Sequence, residues 1–304
     1  MRFFILAFVA CAPSSAPSFE SVDVYSSGPS PRFVLVDVDG DGRKDLLTSF
    51  AGPDPGIAIR RASITGSFGS AERAIVGNVT YAMRGSDLVV GDGQHIGVLA
   101  NGRGPIRILG VSREAVLGAN EDGVLTTDGR DLMIHSWDAP IAKPLEIAPL
   151  VPMDFADVDG DGRGDIVGTA LGHAAIRHGT VDGFGPVHLL GAMDGLAVTD
   201  VDGDGKLDVA AWSNGHASAW NGRGRVVGEF TAPAIATLAA GDLDGDGKPE
   251  IVWATRDHVE IVGRGPLDRL WTNVRQLAID RGRIFVADDG FIAVVRPPHV
   301  KSSW

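Results

Sequence analysis

The apolar residues of this chain fall in short β-rich bursts, and no stretch sustains a 3.6-residue period. Small or apolar residues at 33–36, 197–198 and 239–240 run into polar turn sequences, and second bursts follow at 46–47, 166–167, 209–212 and 251–253. Runs of this length bounded by Gly and Asp predict strands joined by tight turns, each pair a β-hairpin.

Four of the turns are copies of one nine-residue loop: DVDGDGRKD from Asp37, DVDGDGRGD from Asp157, DVDGDGKLD from Asp200 and DLDGDGKPE from Asp242. Acids at positions 1, 3, 5 and 9 would repel one another unless a hard divalent cation lay among them, and oxygen-only ligands suit calcium. Asp37, Asp39 and Asp41 converge if the backbone curls, Gly42 permits the turn, Arg43 offers its carbonyl and Asp45 closes the cage. The same roles fall to Asp157, Asp159, Asp161, Arg163 and Asp165, to Asp200, Asp202, Asp204, Lys206 and Asp208, and to Asp242, Asp244, Asp246, Lys248 and Glu250. One isolated copy would read as a solvated acidic turn; four with the same Gly and the same closing acid read as Ca2+ sites. An EF-hand is excluded, because position 12 is Thr48, Gly168, Ala211 or Trp253 and no helix flanks the loop.

Spacing extends the hairpins into an architecture. The loops begin at 37, 157, 200 and 242, so neighbours lie 43 and 42 residues apart and the first gap of 120 holds two hidden units. These start near Thr80 and Ala115, with Arg84-Gly85-Ser86 or Glu121-Asp122-Gly123 in place of the cage, and a seventh unit from Leu277 turns at Arg281-Gly282. With Gly-rich turns recurring at Asn101, Asp182, Asn221 and Gly263, the pattern predicts an all-β, seven-bladed propeller of four-stranded antiparallel blades. The last unit ends one strand short, and residues 19–26 are expected to supply that strand and close the ring.

These loops, each followed by a short strand and a later Gly-x-Gly turn, resemble the FG-GAP and VCBS repeats of integrin-alpha-type propellers over about residues 19–298. The resemblance implies cell-surface binding or adhesion more often than catalysis, with calcium carried over to four blades only.

Residues 1–18 read as a targeting segment and linker, and 299–304 as a tail. Arg2 precedes an apolar run at 3–10, then Cys11 and a Pro/Ser/Ala tract. Eight apolar residues are too few for a spanning helix. Phe8-Val9-Ala10-Cys11 resembles a bacterial lipobox, which makes Cys11 the expected lipidation site and predicts an outer-membrane, cell-surface or periplasmic lipoprotein; cleavage after Ala12 or Ala16 would give a secreted protein instead. Cys11 is the sole cysteine, so no disulfide forms within the chain and metal sites are the available staples.

Composition refines the picture in two ways. The 41 Gly and 17 Pro among 304 residues suit a fold of many turns, and the formal charge of −12 is concentrated, since the four loops hold 16 of the 39 acids. Four bound Ca2+ would bring the balance near −4, and no basic stripe suggests nucleic acid as a partner.

Catalytic signals are sparse: eight scattered His, no nucleophile elbow, no H-E-x-x-H and no P-loop. His173, His216 and His258 each lie 16 residues after the first Asp of their loop, and His95 takes the matching place in a unit without a cage. That register places them at the turn between second and third strands, on the rim opposite the loops, either as a ligand surface or as duplicated residues that hydrogen-bond their own hairpins. Trp212, Trp220 and Trp253 read as packing between blades rather than a sugar-stacking platform. The function expected is a non-catalytic binding, adhesion or scaffolding module with a protein or glycan partner. The alternative is a lectin or carbohydrate-active enzyme using the opposite rim, for which Asp131, His135, Trp137, Asp288 and Asp289 are the candidates.

Overall fold

A computed structural model describes residues 21–296 except 27–30, 52, 78, 103–104, 112–114, 120–122, 128–131, 138–142, 146–149, 182, 233 and 268–270. Cys11, the other leader residues, residues 297–304, Glu121, Asp122, Asp131 and Asp182 therefore lie outside the described residues. Within them the chain forms seven sheets, each of four antiparallel strands, and no α-helix. Blades one to six are consecutive, at 32–76, 80–111, 115–145, 151–192, 195–231 and 237–266. Blade seven uses Gln276–Asp280, Arg283–Asp288 and Phe291–Arg296 and takes its outer strand from the beginning of the chain, Ser21–Ser26, in register Ser21 to Arg296 and Ser26 to Phe291. The expected ring closure is thus present.

First strands of neighbouring blades touch one another at the seams two–three, three–four, five–six, six–seven and seven–one. The second strands have both faces covered, as the unbroken burial of Arg283–Asp288 shows, which explains why each reads in sequence as a continuous apolar burst. Seven hydrophobic clusters fill the seven seams between blades. Phe33 and Leu46 of blade one meet Phe285 and Ile292 of blade seven, and Val158, Val167 and Ile176 of blade four meet Val209 of blade five. At about 1.5–3 kcal/mol per buried large apolar side chain, these seams hold the ring together. Trp212 and Trp253 are buried, as expected of packing residues; Trp220 is half-buried.

Side chains also stitch the axis. The Gln276 amide donates to the Phe33 carbonyl at 2.8 Å and accepts the Phe33 N–H at 2.9 Å, joining blade seven to blade one. Thr199 Oγ1 exchanges two 3.1 Å bonds with the Ala240 backbone across the seam from blade five to six. Among the described residues no helix is long and apolar enough to cross a membrane.

Candidate metal centres on one rim

All four acidic loops join the first strand of a blade to its second, so all four stand on one rim. Each is built around its first Asp. Asp37 accepts the N–H groups of Gly40 at 2.7 Å, Asp41 at 3.1 Å and Gly42 at 2.7 Å; Asp157, Asp200 and Asp242 repeat the two glycine bonds. The Gly42 N–H above all, with those of Gly40 and Asp41, outweighs desolvation and holds the Asp37 carboxyl below its ordinary value. Position 4 needs glycine as much as position 6: Gly40 has φ of +76° and Gly42 of +81°. The sequence pointed only to the second.

Position 2 anchors the loop, for Val38, Val158, Val201 and Leu243 are all buried in seam clusters. Position 9 clamps it. Asp45 is fully buried and accepts the N–H of Val38 at 3.2 Å and of Ala62 at 2.8 Å. Asp165 accepts Val158 at 2.9 Å and Gly179 at 2.8 Å, Asp208 accepts Val201 at 2.8 Å, and Glu250 accepts Leu243 at 2.7 Å. Burial pushes the carboxyls of Asp165, Asp208 and Glu250 above their ordinary values.

In every loop three acids offer oxygens that all lie within 4.8 Å of one another, but the trio differs. Blades four and five bring together positions 1, 3 and 9: Asp157, Asp159 and Asp165, and Asp200, Asp202 and Asp208. Blades one and six bring together positions 1, 3 and 5: Asp37, Asp39 and Asp41, and Asp242, Asp244 and Asp246. The second arrangement goes with an arginine. Arg61 lies 3.5 Å from Asp39 and 3.2 Å from Asp45, while Arg264 bonds Asp244 at 2.5 Å and Glu250 at 2.7 Å, so each guanidinium sits between positions 3 and 9. His178 faces the same pair in blade four more loosely, 3.7 Å from Asp159 and 3.4 Å from Asp165.

Position 7 does more than offer a carbonyl. The guanidinium groups of Arg43 and Arg163 pair with Asp41 and Asp161 of their own loops, and Lys206 Nζ donates to the Asp159 carbonyl of the preceding blade at 3.0 Å. Lys248 donates its N–H to Asp246 at 2.8 Å. Sequence reasoning missed Arg61, Arg264 and His178. Arg264 had a signal, since it lies in the Gly263 turn that was read only as punctuation.

The donor set fits a hard cation. It is oxygen throughout, and Asp39 Oδ1 is buried with no hydrogen-bond partner.

The opposite rim carries the repeated histidines as expected, and three bond their own hairpins. His95 Nδ1 lies 3.4 Å from Asp92, His173 Nδ1 lies 3.0 Å from the Leu171 carbonyl, and His258 Nε2 lies 3.2 Å from Glu260. Two candidates for a site there are misplaced. His135 pairs in register with Val124 at the beginning of its neighbouring strand, which puts it and Trp137 toward the loop rim, where Arg84 stacks 4.3 Å from the Trp137 ring. Asp288 does lie on the opposite rim, but it is fully buried and its carboxylate accepts bonds from the backbone N–H groups of Thr272, Asn273 and Asp289 and the Thr272 hydroxyl.

Fold and loops define a seven-bladed β-propeller with acidic loops on one rim. Residues 200–253, which contain the loops from Asp200 and Asp242, match the FG-GAP-like repeat family. No curated protein sequence matches the chain. Among solved structures it is similar to the streptogramin B lyase (12% identity, TM-score 0.62, 93% of this chain and 100% of that one). It is also similar to BBS1N crystallised in complex with ARL6DN (14%, 0.59, 94% and 98%) and to the WD40 β-propeller domain of Doa1 (14%, 0.57, 94% and 98%). At these identities the likeness is one of fold.

Proposed function

We propose that this chain is an exported, calcium-stabilised propeller that acts as a binding, adhesion or scaffolding module at the cell surface and carries out no chemistry of its own. The observation that carries the reading is the repetition, on one rim, of four loops in which three carboxylates approach within 4.8 Å of one another. Such a cluster of like charges is stable only with a cation among them or with its carboxylates partly protonated. Calcium suits it because the donors are all oxygen and the loop adapts to six or more ligands. Asp, main-chain carbonyl and closing acid would fill the coordination from the protein, so the ion's role is structural.

Solved propellers of this shape include one in complex with another protein and one named as a lyase, so shape does not choose between binding and catalysis. Binding is favoured because His135 and Trp137 lie toward one rim and Asp288 toward the other, each engaged within the fold. A FG-GAP-like repeat is typical of extracellular proteins, and calcium is plentiful there. Lipidation at Cys11 would hold the module at a bacterial membrane, with a protein or glycan as its partner.

Metal analysis after equilibrium dialysis tests the metal. Four calcium ions per chain are expected, and three after Asp202→Ala; no retained calcium at millimolar free ion would end the proposal. Glycan-array binding with and without calcium then separates a glycan partner from a protein one.

A further inference from the structure

Where blades one, four, five and six present carboxylates on the loop rim, blade seven presents arginines. Its turn between first and second strands is Asp280-Arg281-Gly282-Arg283. Arg281 has φ of +48° and Gly282 of +71°, a two-residue hairpin in which Asn-Gly is the usual pair. A side chain other than Asn or Gly in that conformation costs about 1 kcal/mol, so turn chemistry does not account for an arginine there. Its Nη2 crosses the seam and donates to the Gly42 carbonyl of blade one at 2.9 Å.

Beneath it lies a cleft of about 380 Å3 between blades seven and one, lined by five cations: Arg43, Lys44, Arg281, Arg283 and Arg296. Ser63 and Thr65 form the facing wall, and no carboxylate lines it. Two acids stand behind the cations. Asp41 pairs with Arg43, and Asp280 is shared by Lys44 and Arg283, each at 3.2 Å. Among the described residues the Arg296 side chain makes no hydrogen bond or ion pair. Five cations against two carboxylates leave a local excess of three in a chain of net charge −12.

The floor is rigid. Arg283 is only 7% exposed, donates to the Gly66 carbonyl and lies 5.5 and 5.2 Å from the Phe68 and Phe285 rings. The hydroxyls of Ser63, Thr65 and Ser67 bond one another at 2.8–3.2 Å and Ser63 Oγ also accepts the Thr65 N–H at 3.3 Å, so a hydroxyl proton can turn from this cluster toward a ligand. Convergent guanidinium forks, a fixed floor and reorientable hydroxyls make an oxyanion site.

We propose that this seam cleft binds a dianionic oxyanion, the phosphate monoester group of a small molecule of monosaccharide size. A phosphomonoester carries close to two charges at neutral pH, which the excess of three cations accommodates; a single carboxylate would leave most of it uncompensated. The site shares Arg43 and its partner Asp41 with the blade-one loop, so the test holds calcium constant.

Calorimetric titration at one fixed calcium concentration, with glucose 6-phosphate as the probe, tests this. Saturable binding that weakens as salt is raised is expected, with displacement by inorganic sulfate, none by glucose, and glucuronate at least about tenfold weaker. Arg281→Gln and Arg296→Gln should each weaken glucose 6-phosphate binding by about tenfold. Arg281→Gln also removes the tie to the Gly42 carbonyl and should lower the melting temperature slightly, whereas Arg296→Gln removes no such tie and should leave it unchanged, which separates a lost site from a lost fold. Absence of saturable binding at millimolar probe, equal binding of glucose or glucuronate, failure of sulfate to compete, or a double variant that binds like wild type would each overturn the proposal.

Discussion

Asp288 shows what a single residue contributes when its chemistry is satisfied locally. Burial raises its carboxyl pKa, but hydrogen bonds from Thr272, Asp289 and Asn273 together outweigh burial and hold it below its ordinary value. A depressed folded pKa means the ionised form stabilises the fold. That contribution is complete above the ordinary carboxylate pKa and is lost as pH falls through the folded value. Asp288→Asn should therefore lower the urea midpoint at neutral pH, by about 1–3 kcal/mol in stability, and the gap to wild type should close below about pH 4. A gap that is constant with pH would refute ionisation as the source. Gly42 is the opposite case, since a Cβ there meets nothing within 4 Å and only φ of +81° opposes it. Gly42→Ala should cost about 1–2 kcal/mol by denaturant unfolding, with no change in core packing by near-ultraviolet circular dichroism.

At the scale of strands, the ring is closed by two devices: the outer strand Ser21–Ser26 and the Gln276 amide on Phe33. Gln276→Ala leaves the Phe33 N–H and C=O without their partner at a half-buried seam. It should cost about 1–3 kcal/mol and quicken hydrogen exchange at Phe33 more than at Ala240, whose tie to Thr199 is intact. Equal exchange at both would show that the side-chain tie carries nothing. Blade count, blade boundaries and the borrowed strand were legible in the sequence because each depends on turn residues and short apolar bursts at fixed intervals. The Gln276 tie was not, because a lone Gln before an apolar run has no local signature; its partner lies 243 residues away. Arg61 was equally silent, and the Gly263 turn marked the place of Arg264 but not its partners; both follow the third strand of their blade and reach the loops only because that strand runs back toward the loop rim. His135 and Trp137 were assigned to the wrong rim because the strand containing them runs back toward the loops, and a reading of residue types alone does not track direction.

For the whole molecule the governing quantity is the charge gathered on one rim. A propeller of this size is stable by about 5–15 kcal/mol, and four clusters of carboxylates work against that figure through mutual repulsion. At a dissociation constant of about 0.1 mM and about 1 mM free ion, each calcium would add roughly 1.4 kcal/mol, so four sites supply a large share of the total. Removing calcium with EGTA should lower the melting temperature by on the order of 10 °C, and Asp202→Ala should give at least about a quarter of that drop. The four sites should not load alike. In blades one and six an arginine already lies between the acids at positions 3 and 9, so an incoming ion must displace a resident cation, whereas in blade five no side-chain cation bridges Asp202 and Asp208 among the described residues. Calorimetric titration should accordingly show two classes of site, with blade five in the tighter class. Arg264→Gln should move the blade-six loop toward that class, tightening its calcium affinity while leaving Asp200, Asp202 and Asp208 unaffected. A single class in wild type, or a weaker blade-six site in the variant, would mean that the guanidinium supports the ion rather than competing with it.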